Sequence, residues 1–290
     1  GNWNTASGKY ALRNNTTASN NTAVGGCSLF NNINGPGGTA VGYHALKANT
    51  SGAYNTSVGS YSLANNTTAG ENAAFGNNAL YTNTTGAQNT AVGGYAALYA
   101  NTTGCLNVAT GYKTLFSNTT ASFNTAVGAC SLYANTGTRN TASGYGALKT
   151  NTTADNNTAH GFAALNLNTT GAQNTSIGAY SLQQNTTGSD NTGSGHYAMK
   201  ANTTGTCNTS IGAFALCKNT TGNLNVAIGR TALHANTTAS YNTAVGACSL
   251  YATTTGANNV AVGFKALVTN TTGCRNTASG NYTLNFNTTG

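Results

Sequence analysis

Polar and apolar residues alternate along this chain in a pattern that returns every 17 residues. The repeated unit reads N-T-A-V/S-G-x-x-A/S-L-x-x-N-T-T-G/A-x-x, and its first Asn is numbered here as position 1. The spacing is 17 throughout, apart from one unit of 18 and one of 16, so that seventeen units fill the chain. The units begin at Asn4, Asn21, Gly38, Asn55, Asn72, Asn89, Asn107, Asn124, Asn140, Asn157, Asn174, Asn191, Asn208, Asn225, Asn242, Asn259 and Asn276.

The period predicts an all-β fold, a β-solenoid of the β-roll or β-helix type with about 17 rungs and 17 residues in each rung. A two-helix repeat needs about 33 to 47 residues, and Gly, Asn and Thr are poor helix formers. Two or three strands of three to five residues fit in 17 if tight turns join them. We expect the position 5 Gly and the Asn-Thr-Thr-Gly corner to supply the left-handed turn residues.

Stacked rungs would place equivalent side chains in ladders along the axis. Small residues at positions 3 and 8 predict a thin core around Leu at position 9, and Asn at positions 1 and 12 predicts rung-to-rung amide hydrogen bonds. The predicted structural ladder is represented by Leu12, Leu46, Leu80, Leu148, Leu182, Leu216, Leu250 and Leu284 at position 9 and by Gly8, Gly42 and Gly76 at position 5.

Aromatic residues recur at positions 6, 7, 10 and 17 and exceed what one thin coil could bury. Position 4 mixes Val and Ile with Ser, Thr and His, which predicts that it is not deeply buried. We therefore expect a homo-oligomer in which copies associate laterally or head to tail.

The repeats carry a family resemblance. Asn89-Thr90-Ala91-Val92-Gly93 followed by Asn101-Thr102-Thr103-Gly104 resembles the repeats of phage-tail-fibre-like and bacterial surface fibre proteins, which often end in a self-cleaving chaperone domain. The pentad alone is also similar to head repeats of trimeric autotransporter adhesins. The resemblance implies an extracellular fibre or adhesin stalk, commonly trimeric, although this sequence shows no chaperone domain.

The repeat phase has no break, which predicts one continuous array over residues 1–290, uncapped at both ends. No apolar run approaches the ~18 residues of a membrane span. Charged residues make up 5% of the chain, and the net charge of +8 comes from dispersed bases that predict no nucleic-acid partner. A mild attraction to acidic glycans is an alternative to a purely solubilising role.

Titratable groups are too few to predict an enzyme, and we expect no catalytic residue, no cofactor and no metal site. The nearest constellation is Asp190 with Ser194 and His196, which a β-coil would spread around its rungs. The chain has seven Cys residues, and Cys27, Cys130 and Cys248 share position 7 but lie six or seven rungs apart, beyond the reach of a disulfide. We therefore expect the cysteines to replace small buried apolar side chains, with cross-links between chains as the alternative.

Asn-x-Ser/Thr sequons recur at position 12, and they are either glycosylation sites on one face or an inward amide ladder. We favour the inward ladder, because a glycan on every rung would be crowded. The sequon residues are Asn15, Asn49, Asn66, Asn83, Asn101, Asn118, Asn151, Asn168, Asn185, Asn202, Asn219, Asn236, Asn270 and Asn287.

Three functions remain open from the sequence. The first is a structural subunit of an extracellular fibre or filament on a cell or virion surface, either as an inert shaft or with an adhesive role. The second is an ice-binding β-solenoid with Thr arrays at positions 2, 13 and 14. The third is a tailspike-like protein that binds or processes glycans, and cell-surface glycans are a candidate partner beside further copies of the chain.

Overall fold

The computed structural model describes residues 1–290, and its regular structure is entirely β, as the repeat predicts. Each repeat contributes one short strand, which covers positions 2 to 4 except in β5 and β6, where it is longer, and the remaining residues form turns and bends. The prediction of two or three strands per repeat is therefore wrong, because the turns after position 5 and around position 15 keep the backbone from extending again. The strands are β1 Thr5–Ser7, β2 Thr22–Val24, β3 Thr39–Val41, β4 Thr56–Val58, β5 Ala73–Asn77, β6 Thr90–Tyr95, β7 Val108–Thr110, β8 Thr125–Val127, β9 Thr141–Ser143, β10 Thr158–His160, β11 Thr175–Ile177, β12 Thr192–Ser194, β13 Thr209–Ile211, β14 Val226–Ile228, β15 Thr243–Val245, β16 Val260–Val262 and β17 Thr277–Ser279.

The chain divides into two compact units, Gly1–Tyr145 and Gly146–Gly290. The first unit contains β1 to β9 and the second contains β10 to β17. Within each unit, successive strands pair in parallel and place equivalent repeat positions opposite each other, as in Thr22↔Thr39 and Thr192↔Thr209. This register is that of a β-solenoid.

The register shifts once in the first unit, between β5 and β6, where the 18-residue repeat carries its extra residue. Gly94 lies in the longer strand β6, and a Cβ on it would meet nothing within 4 Å. The extra residue is thus accommodated on the outside of the coil as a β-bulge.

Three residues of each repeat adopt left-handed backbone conformations, at positions 7, 9 and 17. Most are not Gly: in one repeat they are Tyr180 (φ 58°), Leu182 (φ 49°) and Asp190 (φ 59°). The Gly at position 5 has a positive φ, near +130°, in every repeat except the 18-residue one of Gly93, but the small residue at position 15 is not left-handed. The prediction for the Asn-Thr-Thr-Gly corner was therefore wrong, and the left-handed turns depend on packing between repeats to offset their local strain.

One side of the interior is apolar. Leu at position 9 lies among Ala or Ser from positions 3 and 8, and Leu46, Leu80, Leu148, Leu182 and Leu216 are fully buried. In the terminal repeats Leu12 is 9% exposed and Leu284 is 50% exposed. The Gly at position 5 is required by both conformation and space, because a Cβ on Gly195 would lie 2.6 Å from the carbonyl of Gly212 in the next repeat.

The other side of the interior is lined by amides. The side-chain nitrogen of Asn185 at position 12 donates to Oδ1 of Asn168 in the preceding repeat (2.8 Å) and to the carbonyl of Gly188 in its own repeat (2.8 Å). Asn174 at position 1 donates to the same Gly188 carbonyl (2.9 Å). Position 15 needs a small residue because space is limited there: a Cβ on Gly188 would already meet the carbonyl of Gly205 in the next repeat.

The 16-residue repeat keeps this arrangement although it lacks one residue of the corner. Nδ2 of Asn135 and Nδ2 of Asn124 both donate to the carbonyl of Gly137, at 2.7 and 3.0 Å. The two hydrogen bonds to the shared carbonyl are thus kept although the loop that carries it is one residue shorter.

Candidate interaction surfaces

The strands present a strand face, defined as the side chains at positions 2 and 4, which point away from the interior. The position 2 residue is Thr in most repeats, and most position 4 residues are Val or Ile. Several of the latter are 36–46% exposed: Val24, Val41, Val92, Val127, Ile177, Ile211, Ile228 and Val262. The weak burial predicted for position 4 is therefore confirmed.

No Lys, Arg, Asp or Glu occupies the strand face in any repeat, although the chain has 11 bases and three acids. His160 is its single titratable side chain. The position 2 hydroxyls of Thr175, Thr192 and Thr209 make no hydrogen bond within the protein, and the residues are half-buried or exposed, so these hydroxyls are available to solvent. The face combines rows of aliphatic side chains with rows of hydroxyls.

The two other Thr rows differ from each other. At position 13 the hydroxyl of Thr186 donates to the carbonyl of Thr203 in the next repeat (3.1 Å), and Thr203 donates likewise to Thr220 (3.0 Å). At position 14 Thr187 is exposed. The position 13 hydroxyls are thus engaged in holding repeats together.

A second surface, the basic aromatic corner, is defined by positions 6, 7, 10 and 11. The turns after each strand bring these positions together: the Lys113 ammonium lies 5.4 Å from the ring of Tyr112 and 5.6 Å from that of Phe116. Rings also follow one another from repeat to repeat, as in Tyr81, Tyr99 and Phe116, whose stacked centroids are 5.3 Å apart. Every cation–π contact of the protein lies in this corner.

Burial and neighbouring cations shift three groups of the corner. Burial, assisted by the positive charge of Lys47, lowers the pKa of His44, and burial together with Lys218 lowers the pKa of His234. Burial raises the pKa of the Cys217 thiol against the opposing influence of Lys200 and Lys218. Lys200 and Lys218, the two bases that act on Cys217, belong to successive repeats.

This corner is not evident when the bases are counted separately at each repeat position, because they are distributed over four positions. The concentration of bases is visible in the sequence when positions 6, 7, 10 and 11 are counted together. Arg139 and Arg275 at position 17 are the only bases outside the basic aromatic corner. All three acids, Glu71, Asp155 and Asp190, occupy positions 16 and 17. Most bases therefore lie at positions 6 to 11, whereas every acid lies at position 16 or 17.

The constellation around His196 does not assemble into a triad. His196 packs against the rings of Tyr197 (4.0 Å between centroids) and Phe214 (5.5 Å). No hydrogen bond joins it to Ser194 or Asp190. No group of three or more His, Cys, Asp or Glu side chains could hold a metal ion.

The sequon asparagines lie in the interior. Asn15 and Asn287 in the terminal repeats are half-buried, and the others are fully buried or nearly so. Their amide nitrogens are engaged in the hydrogen bonds described above, so that in the folded protein these atoms face the core.

All seven cysteines are free thiols and none is in the core. Cys207 and Cys274 are exposed and the other five are half-buried. The expectation that they replace buried apolar residues is wrong, because positions 7, 10, 16 and 17 all point outward.

No protein-family model matches the chain. Comparison with curated proteins and with solved structures likewise returned no significant match. The structure contains no helix with the length and apolar character of a membrane span.

Proposed function

We propose that this protein is a structural, self-associating subunit of an extracellular fibre or filament. The observation that carries the proposal is the strand face, which exposes rows of Val and Ile and has no charged residue. Extended apolar patches on a protein surface are typical of interaction sites. A partner that matches this face along its whole length would be uncharged where it makes contact and would repeat at the strand spacing of about 4.8 Å.

A second copy of the chain meets both requirements. Its own strand face carries the same rows at the same spacing, so that side chains such as Ile177 and Ile211 of one copy can pack between those of another. Burying these side chains would contribute about 25 cal/mol for each Å² of apolar surface removed from water. The extracellular location rests on the resemblance of the repeats to surface-fibre proteins.

The mass of the protein in solution tests the proposal. We expect light scattering with size-exclusion chromatography to give multiples of the 29.1 kDa chain mass. The double variant Ile177→Lys/Ile211→Lys should shift the distribution to the monomer, since it places unpaired charges in the interface. The control Thr187→Lys/Thr204→Lys adds the same charge at position 14 and should leave the assembly intact. A wild-type monomer at high concentration, or equal loss of assembly in both variants, would contradict the proposal.

Ice binding is the second candidate, favoured by the hydroxyls of Thr175, Thr192 and Thr209, which are regularly spaced and have no protein partner. A flat array of this kind could order water on the strand face. If it does, the protein should show thermal hysteresis that Thr192→Tyr abolishes and that Thr187→Tyr preserves. Absence of hysteresis in the wild-type protein would discard this function.

A further inference from the structure

The basic aromatic corner of the second unit has a charge distribution suited to an extended anion. Its bases are not balanced by any acid at positions 6 to 11, because Asp155 and Asp190 lie at positions 16 and 17. The bases of this corner are Lys149, Lys200, Lys218, Arg230 and Lys265. A row of like charges on one edge raises the local concentration of an oppositely charged partner.

Aromatic rings accompany these bases. The Lys200 ammonium lies 4.6 Å from the centroid of the Tyr197 ring, and the Lys265 ammonium lies 5.3 Å from that of Phe264. Tyr180 and Tyr197 of adjacent repeats are stacked with centroids 5.1 Å apart. Phe264 is 39% exposed, so part of this aromatic surface is open to a ligand.

The density of charge distinguishes between possible polyanions. The five bases lie one to three repeats apart, and repeats spaced about 4.8 Å apart make this roughly 8 Å on average. Double-stranded DNA carries one charge per about 1.7 Å of its axis, which is far denser than the corner can neutralise. A polysaccharide with a carboxylate on only some of its sugars has a sparser charge, and the apolar faces of its sugar rings can lie on aromatic side chains.

We propose that the basic aromatic corner of the second unit binds an acidic polysaccharide whose carboxylates are spaced along a linear chain. Bases such as Lys200 and Lys218 would pair with the carboxylates, and Tyr197 and its neighbours would contact the sugar rings. This role is independent of self-association, which was assigned to the strand face.

Binding of the full chain to hyaluronan, measured by calorimetry at low and physiological salt, tests the proposal. We expect binding that weakens as salt increases, since the charges are at the surface. The variant Lys200→Gln/Lys218→Gln should weaken binding about fivefold. Tyr197→Leu should weaken binding without altering its dependence on salt.

The matched control is Arg139→Gln/Arg275→Gln, which lowers the net charge by the same two units at position 17. Its affinity should stay within about twofold of the wild type. Equal weakening by the two double variants would overturn the proposal, because binding would then follow net charge alone. Equal affinity for neutral dextran, or tighter binding of a DNA duplex than of hyaluronan, would overturn it as well. Thermal melting of each variant verifies that it is folded. The light-scattering mass of each variant shows whether self-association is intact, so that a loss of polysaccharide binding can be distinguished from a loss of assembly.

Discussion

The amide side and the apolar side of the interior accept substitution by different rules. At position 9 of the apolar side, Met199 replaces Leu and is fully buried like its neighbours. At position 12 of the amide side, Thr253 replaces Asn, and Oδ1 of Asn236 in the preceding repeat is left buried with no hydrogen-bond partner.

The contrast follows from what each side must provide. The apolar side has to fill volume, and Leu and Met do this almost equally well. Each amide must donate to a carbonyl of its own repeat and also link repeats through both its nitrogen and its oxygen. No other side chain of that length offers donor and acceptor in this arrangement.

The largest effect is expected when an amide in the middle of the second unit is replaced by an apolar residue. Asn185→Leu removes the donor to Asn168 Oδ1 and the acceptor for Asn202 Nδ2. Each buried group left without a partner costs about 1–3 kcal/mol, so the free energy of unfolding should fall by roughly 4 kcal/mol. The neighbouring Leu182→Met is the control and should cost less than about 1.5 kcal/mol. Similar urea midpoints for the two variants would remove the distinction between the sides.

Truncation on the apolar side should have the next largest effect. Leu216 is fully buried, and Leu216→Ala should lower the free energy of unfolding by about 2–5 kcal/mol through lost burial and the cavity left behind. Leu284→Ala removes the same atoms from a side chain that is half exposed, and it should cost much less. Urea denaturation of the two variants measures the difference; equal losses would show that position 9 does not act through burial.

A smaller effect, in this case an increase in stability, is expected at Thr253, the residue that interrupts the row of Asn at position 12. Thr253→Asn would give Asn236 Oδ1 a donor and Asn270 Nδ2 an acceptor, in exchange for the hydroxyl bond of Thr253 to the Asn270 carbonyl. We expect a gain of about 1 kcal/mol in the free energy of unfolding. Thr254→Asn at the adjacent outward position should give no gain. A destabilised Thr253→Asn protein would mean that the corner cannot accept the amide in the geometry of its neighbours.

The smallest effect on stability is expected from His234, which lies in the basic aromatic corner and belongs to neither side of the interior. Burial and Lys218 lower the pKa of His234 below its ordinary value, which is about 6.5. Unfolding would let this imidazole bind a proton more readily, so its small contribution to stability is present above pH ~6.5 and is lost as the pH falls below that value. In an NMR titration Lys218→Gln should raise the pKa part of the way, and Arg275→Gln should not change it. A pKa of His234 in the wild-type protein at or above its ordinary value would contradict the lowering by burial and Lys218.

The period of the sequence was enough to predict the β-solenoid, because Gly at position 5 and Leu at position 9 recur at one fixed spacing. It could not predict the number of strands per repeat. Left-handed turns fall on residues as unlike as Tyr180, Leu182 and Asp190, and the intrinsic preferences of Tyr and Leu oppose that conformation. Contacts between repeats decide the backbone there, and they become visible only in three dimensions. The basic aromatic corner was equally hidden, since its residues are distributed over four positions of the repeat.

The left-handed turns have a consequence for how the array forms. Three such turns in each repeat cost free energy locally, at roughly 1–2 kcal/mol for a left-handed residue that is not Gly, and a single repeat has only a few internal hydrogen bonds to offset this cost. Most of the compensating hydrogen bonds arise when a repeat adds to one that is already folded. Starting a new array is therefore disfavoured and extending an existing one is favoured, as when a crystal grows from a seed.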